Sequence, residues 1–182
     1  DEGEYIRYSE MNSYFSSNKR WNRATVQNHF IESMDLFDGH IYAKGSLILN
    51  MINDYLGKDS FSKGIQHYVE ENQHKNVETS DLKKAFEEVT GKNLDWFFKV
   101  YLYEKDYPVL IKKTEHGSNH TFIELYWENE GFYMPVEVAY SSITGLKNRR
   151  VSLSNKPTKI AIPQYNNIRI DPKNWLLYTL SE

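Results

Sequence analysis

The spacing of apolar residues changes near residue 107, and this change limits the chain to a fold with two different halves. Before that point, apolar residues recur every three or four positions, which is the period of an amphipathic α-helix. After it, apolar and polar residues alternate in short runs bounded by Gly, Asn and Pro, which is typical of antiparallel strands. The sequence therefore predicts an α+β fold of two segregated parts. An N-terminal antiparallel helical bundle covers 1–106, and a small antiparallel β-sandwich covers 107–182.

Helical spacing predicts several helices in the first half. The best defined lies within 38–57, because its apolar residues form pairs repeated every four positions and Gly57 is a natural stop. Residues 18–37 have no clear period, which predicts short helical pieces or a loop near a functional surface. The other predicted helices are 1–17, 59–72, 79–90 and 94–104.

The first turn of the best-defined helix carries an unusual group, Tyr42-Ala-Lys-Gly45. A glycine costs about 1 kcal/mol relative to alanine inside a helix, so its presence suggests that another group approaches the backbone closely. One interpretation is structural: a core tyrosine beside a solvated lysine, with a glycine that allows tight helix packing. The other is functional: Tyr42 points its hydroxyl into a site from the start of the helix. The motif alone leaves both interpretations open.

The second half predicts a series of short strands separated by turns such as Glu128-Asn-Glu-Gly131 and Asp171-Pro172. Regular spacing of this kind is typical of a small sandwich. The predicted strands are 109–114, 121–127, 132–140, 149–153, 158–162, 167–170 and 175–180.

Composition excludes several classes of function. The 182 residues contain no cysteine, which excludes disulfides, thiolate catalysis and cysteine-based zinc sites. The net charge is −3 with no basic block, so nucleic acid is not an expected partner. No apolar run reaches the roughly 18–20 residues of a membrane-spanning helix, so no transmembrane segment is predicted. No targeting segment is recognised, and both a cytoplasmic and an exported location stay open.

Several motifs occur in an order that is informative. They are Tyr42-Ala-Lys-Gly45, Leu56-Gly57, Thr79-Ser-Asp-Leu82, Trp96-Phe97-Phe98 and Tyr107-Pro108-Val109-Leu110. This series resembles the second half of the catalytic domain of the alanyl aminopeptidase (aminopeptidase N) family of zinc metallopeptidases. The run Gly131-Phe-Tyr-Met-Pro-Val136 resembles the β-sandwich domain that follows in that family. The resemblance implies that 1–106 is the helical part of a gluzincin-like catalytic domain and that 107–182 is the β-sandwich domain.

The resemblance also implies an activity and two site residues. The chain would belong to a zinc-dependent aminopeptidase that releases N-terminal residues from peptides. Tyr42 would donate a hydrogen bond to the oxyanion of the tetrahedral intermediate. Glu2, in Asp1-Glu2-Gly3, resembles the third zinc ligand of the family; an acidic first turn of a helix is the alternative interpretation of Glu2.

Two motifs of that family do not occur in this sequence. One is His-Glu-x-x-His, which supplies two zinc ligands and the general base, and the other is Gly-x-Met-Glu-Asn, which binds the substrate amine. Both would precede residue 1, so we expect the chain to be the C-terminal piece of a longer enzyme. Zinc and peptide substrates would then be bound through the N-terminal rest of the enzyme, and the chain alone is expected to bind no zinc and to be inactive.

Two other functions are compatible with the sequence. One is a non-catalytic module, derived from the same family, that binds proteins or peptides. The other is a sandwich that binds carbohydrate or another surface through exposed aromatic residues. The candidate aromatic residues for the second are Tyr126, Trp127, Tyr133 and Trp175.

Overall fold

The computed structural model describes Ser9, residues 23–27, residues 39–163 and residues 167–182, with only the backbone described at Gly39 and His40. It divides into two compact units, and the chain passes from one to the other between Asp106 and Tyr107. The described part of the first unit is helical and that of the second is built from strands. The predicted α+β fold, with a helical part followed by a β-sandwich, is confirmed. The helix predicted over 1–17 lies almost entirely outside the described residues.

The described helices follow one another with short connections. We label them α1 to α4, and a short π-helix continues α4. Their bounds are α1 Gly39–Leu56, α2 Lys58–Asn72, α3 Thr79–Thr90, α4 Asp95–Phe98 and the π-helix Lys99–Tyr103.

Local signals set the ends of α1 and α3. Gly57 has φ 84°, a backbone conformation that glycine adopts without strain, and its N–H bonds to the Asn53 carbonyl at 2.8 Å. At the start of α3, Glu78 and Asp81 form a reciprocal capping box. Gly91 ends α3 in the left-handed conformation, with φ 65°. These glycines are the stops that the sequence predicted.

Helices α2 and α3 pack closely around Phe86, whose side chain is fully buried. Gly64 on α2 faces this ring, and a Cβ built at Gly64 would lie 2.3 Å from Phe86 Cδ1. Phe61 stacks on the same ring, with centroids 5.4 Å apart. Glycine at position 64 therefore permits the close approach of the two helices.

The helix predicted over 94–104 is not one continuous α-helix. After Phe98 it widens into the π-helix, in which the Glu104 N–H bonds to the Lys99 carbonyl at 3.0 Å. The Tyr101 carbonyl accepts from Thr25 Oγ1 at 3.2 Å, and the Leu102 carbonyl accepts from the Val26 N–H at 2.9 Å. Residues 23–27 are thus tied to the end of this helix and satisfy carbonyls that the helix leaves open.

The second unit contains a four-stranded and a three-stranded sheet, with strand orders β5-β2-β1-β7 and β4-β3-β6. All strand pairs are antiparallel except β1 with β7, which run parallel. The strand bounds are β1 Val109–His116, β2 His120–Trp127, β3 Val136–Ser142, β4 Gly145–Val151, β5 Thr158–Pro163, β6 Ile168–Ile170 and β7 Thr179–Ser181.

Alternation along the strands places the core of the second unit as predicted. On β2, Ile123, Leu125 and Trp127 are fully buried and their neighbours are more exposed. Trp127 Nε1 donates to the Met134 carbonyl at 2.7 Å, and the Trp127 ring meets Phe132 edge to face, with centroids 4.8 Å apart. The buried indole N–H therefore has its hydrogen-bond partner within the core.

Two strands begin four residues later in the structure than the sequence predicts. The strand expected from Phe132 begins at Val136, after a turn at Gly131 and after Pro135, which has no N–H for a ladder. The strand expected from Trp175 begins at Thr179. Before it, the carboxylate of Asp171 accepts from the N–H groups of Trp175 and Leu176, each at 2.9 Å. These donors are committed to a turn and cannot join the sheet.

Candidate functional site

Tyr42 and Lys44 are placed on opposite sides of α1. Two residues along an α-helix correspond to a rotation of about 200°. The Tyr42 side chain is 65% exposed, whereas Lys44 is only 1% exposed. The structural interpretation of this motif, a core tyrosine beside a solvated lysine, is therefore wrong for both residues. The exposed tyrosine is the arrangement that the functional interpretation requires.

Gly45 lies on the same side of α1 as Tyr42, because residues three apart are neighbours on a helix surface. A Cβ built at Gly45 would meet no atom of the described residues within 4 Å. The close approach that the glycine suggested is therefore not made by the part of the chain described here. Leu49, one turn further on and 40% exposed, continues the same open side. We call Tyr42, Gly45 and Leu49 the open face of α1.

Lys44 is a residue whose burial the sequence interpretation missed. The buried stripe of α1 runs through Leu47, Ile48, Met51 and Ile52, in pairs four residues apart. One further step toward the N-terminus reaches Lys44, so the periodicity itself contained the signal. Burial and, to a smaller extent, the nearby Arg23 guanidinium together lower the pKa of the Lys44 amine from 10.5 to about 8.

Glu2, the candidate third zinc ligand, lies outside the described residues. Among the residues that are described, no three His, Asp or Glu side chains converge as a metal site would require. The His67 imidazole is hydrogen-bonded to Glu88 at 2.8 Å between α2 and α3, and His116 contacts Thr121 at 3.3 Å. The described residues therefore do not fit a zinc site by themselves.

The cleft between α2 and α3 is polar, and a hydrogen bond between His67 and Glu88 crosses it. Its lining includes Glu71 on α2, Asp81 on α3 and Lys75 in the connection between the two helices. Glu88 accepts from His67, which lowers the pKa of the Glu88 carboxyl, and Lys84 lies 3.8 Å from the same carboxylate. The contact of His67 with Glu88 joins the two helices, whereas Lys84 and Glu88 form an ion pair within α3. Exposed pairs of this kind are each worth little in stability.

The aromatic residues considered for carbohydrate binding do not form a common exposed platform. Trp127 is fully buried in the core, whereas Tyr133 is 51% exposed. Tyr126 and Trp175 are half-buried, and each ring is covered by a lysine, Lys113 and Lys173 respectively. A stacking surface for sugar rings is not assembled from these four residues.

Comparison with known proteins identifies relatives of the helical unit. The model of the peptidase family M1 domain matches residues 5–101. Tricorn protease-interacting factor F2 from Thermoplasma volcanium is 40% identical over 79 residues, which is 43% of this chain and 10% of that protein. Aminopeptidase N from Lactococcus lactis is 38% identical over 84 residues, 46% of this chain and 10% of that protein.

A longer match reaches into the second unit. Alanine/arginine aminopeptidase from Saccharomyces cerevisiae is 29% identical over 132 residues, 68% of this chain and 15% of that protein. The crystal structure of Legionella pneumophila aminopeptidase A in complex with aspartic acid matches with a TM-score of 0.71 and 16% identity. That match covers 92% of this chain and 21% of the Legionella chain, and at this identity it shows a shared fold alone.

The matched region is a small part of each relative. The chain spans 8–15% of the length of the curated relatives it matches. None of the helices in the described residues combines the length and apolar character that a membrane crossing requires.

Proposed function

Since the chain belongs to peptidase family M1, we propose that it is part of a zinc-dependent aminopeptidase that releases N-terminal residues from peptides. The match of the family model to residues 5–101 and the names of the relatives, which include aminopeptidase N and aminopeptidase A, support this proposal. Peptide substrates would be bound together with the rest of a longer protein. Cytoplasmic and exported locations are both compatible with the proposal.

The two units take different parts in the proposed enzyme. Residues 1–106 would form the helical part of a gluzincin-like catalytic domain, and 107–182 would form the β-sandwich domain. The division of the chain between Asp106 and Tyr107 supports this assignment. The helical unit also contains the whole span that the family model matches.

The catalytic residue proposed within this chain is Tyr42. During hydrolysis of a peptide bond the carbonyl oxygen acquires negative charge in the tetrahedral intermediate, and a fixed hydrogen-bond donor at that oxygen stabilises it. The observation that carries the proposal is the exposure of Tyr42, 65%, on the side of α1 where a Cβ at Gly45 would meet no atom of the described residues. A tyrosine hydroxyl can be presented from there to a bound peptide, whereas a core tyrosine cannot be.

We propose that zinc is bound by the longer protein of which this chain is a part. The described residues do not hold three converging ligands, and no His-Glu-x-x-His occurs in the 182 residues. Glu2 is proposed as one ligand, with the others supplied by chain outside this sequence. The chain alone is accordingly expected to be inactive.

The full-length protein offers a direct test of the proposed activity. Its release of p-nitroaniline from alanine p-nitroanilide is measured with and without a chelator, with an N-acetylated substrate as the negative control. Activity on the free amine alone, lost with the chelator and restored by zinc, is expected. A protein that folds and shows no such activity would support the alternative, a non-catalytic module that binds proteins or peptides.

The contribution of Tyr42 is tested separately by Tyr42→Phe, which removes only the hydroxyl. Tyr103→Phe is the matched control, because Tyr103 is 50% exposed in the same unit and is not part of the open face. Loss of activity in the first variant and not in the second is the expected result.

A further inference from the structure

Lys44 occupies a position where an apolar residue would be the simpler choice. Counted from Ile41, it is the first side chain of α1 that is buried, and it lies one turn before Leu47 and Ile48 on the buried stripe. A methionine has nearly the same length and would fill the space without an amine. Removing a charged amine from water is costly, so packing alone does not explain a lysine here.

The surroundings of Lys44 connect it to a distant part of the chain. Arg23 lies near enough to lower the pKa of the Lys44 amine, in addition to the larger effect of burial. The segment that contains Arg23 is bonded through Thr25 and Val26 to the end of the π-helix. The positive charge that acts on Lys44 therefore belongs to a segment that is itself fixed to the C-terminal end of the helical unit.

We propose that Lys44 is a positioning residue for Tyr42: its buried amine anchors the first turn of α1 and so holds the Tyr42 hydroxyl in the direction of the reacting carbonyl oxygen. The inference rests on the catalytic role proposed for Tyr42. The two side chains leave one helical turn on opposite sides, so movement of the anchored side displaces the exposed hydroxyl. A misplacement of about 1 Å in a catalytic group costs on the order of 100-fold in rate.

The test uses the full-length protein and measures kcat and KM for alanine p-nitroanilide. Lys44→Met is expected to lower kcat roughly 10- to 100-fold while KM changes less than about threefold, because placement of the donor matters in the transition state and not for substrate binding. Lys44→Arg, which keeps the positive charge, should recover most of the loss. Lys63→Met, an exposed lysine on α2, is the control and should leave kcat unchanged.

A double-mutant cycle separates positioning from a general structural role. In the Tyr42→Phe background, Lys44→Met should change kcat by less than about threefold, because the hydroxyl that Lys44 positions is already gone. A loss of the same size in both backgrounds would overturn the inference, as would an unchanged kcat in Lys44→Met alone. If Lys44→Met does not fold, Lys44→Gln serves in the same cycle.

The outcomes distinguish this inference from the proposed function. An unchanged kcat in Tyr42→Phe would remove the catalytic role of Tyr42, and the positioning role with it. A strong effect of Tyr42→Phe with none from Lys44→Met would remove the positioning role alone.

Discussion

Gly64 on α2 faces Phe86 on α3 so closely that an added Cβ would lie 2.3 Å from the ring. Gly64→Ala should therefore force the two helices apart or displace the ring, with a loss of about 1–3 kcal/mol in the free energy of unfolding. Thermal unfolding of the protein, followed by circular dichroism, measures the loss. An unchanged melting temperature would show that the packing around Phe86 is looser than the structure indicates.

Gly45→Ala, the same substitution in the neighbouring helix α1, is expected to have the opposite effect on the free energy of unfolding. A Cβ at Gly45 meets no described atom within 4 Å, so only the helix propensity changes. Alanine is favoured over glycine inside a helix, and a gain of up to about 1 kcal/mol is expected. The same melting experiment measures it. A clear destabilisation would indicate that some other part of the protein approaches this face of α1.

The depressed pKa of Lys44 predicts a pH dependence of stability. Burial, together with the Arg23 guanidinium, lowers this pKa from 10.5 to about 8, so between these values the unfolded chain binds a proton that the folded chain does not. Stability conferred by this group therefore rises with pH across that window. The free energy of unfolding of the wild type, minus that of Lys44→Met, should increase by about 3 kcal/mol between pH 8 and pH 10.5.

Denaturant unfolding of both proteins from pH 7 to pH 11 measures this difference. Comparison with Lys44→Met is needed because burial, together with the Asp171 carboxylate, raises the pKa of Tyr178 to about 12. Above pH 10 this shift acts on stability in the opposite sense. Parallel curves for the two proteins would show that Lys44 is solvated in solution.

Asp171 holds the turn before β7, and its carboxylate is expected to stabilise the folded second unit. It is 5% exposed and accepts two backbone hydrogen bonds, each at 2.9 Å. Asp171→Asn removes the charge and turns an N–H₂ group toward one of the two donors, at a cost of roughly 1–3 kcal/mol. Thermal unfolding measures the loss, with the exposed Asp59→Asn as control. Equal melting temperatures for the two variants would contradict the assigned role.

Local sequence signals predicted most of the fold. The bounds of α1, α2 and α3 followed from apolar spacing and from stops such as Gly57 and Gly91. These signals determine the backbone conformation of residues that are close to them in sequence. Alternation predicted the strands for the same reason. Features that depend on distant partners were not predictable: the π-helix end is completed by Thr25 and Val26, some 76 residues away in sequence.

The candidate site was predicted in part. Helix geometry places Tyr42 opposite the buried stripe, so its exposure follows from the stripe once the helix is accepted. The burial of Lys44 follows from the same stripe. A lysine is nevertheless expected to be solvated, so periodicity and residue type gave opposite predictions, and only the packed structure decides between them. Glu2 lies outside the described residues and its role stays a prediction.

The exposed hydroxyl of Tyr42 is proposed to act in peptide hydrolysis. The most direct measurement is kcat for alanine p-nitroanilide in the full-length protein and in its Tyr42→Phe variant. We expect kcat to fall about 100- to 1000-fold, the usual cost of removing one oxyanion donor, with an unchanged melting temperature. An active wild-type enzyme whose kcat is the same in the variant would contradict the claim.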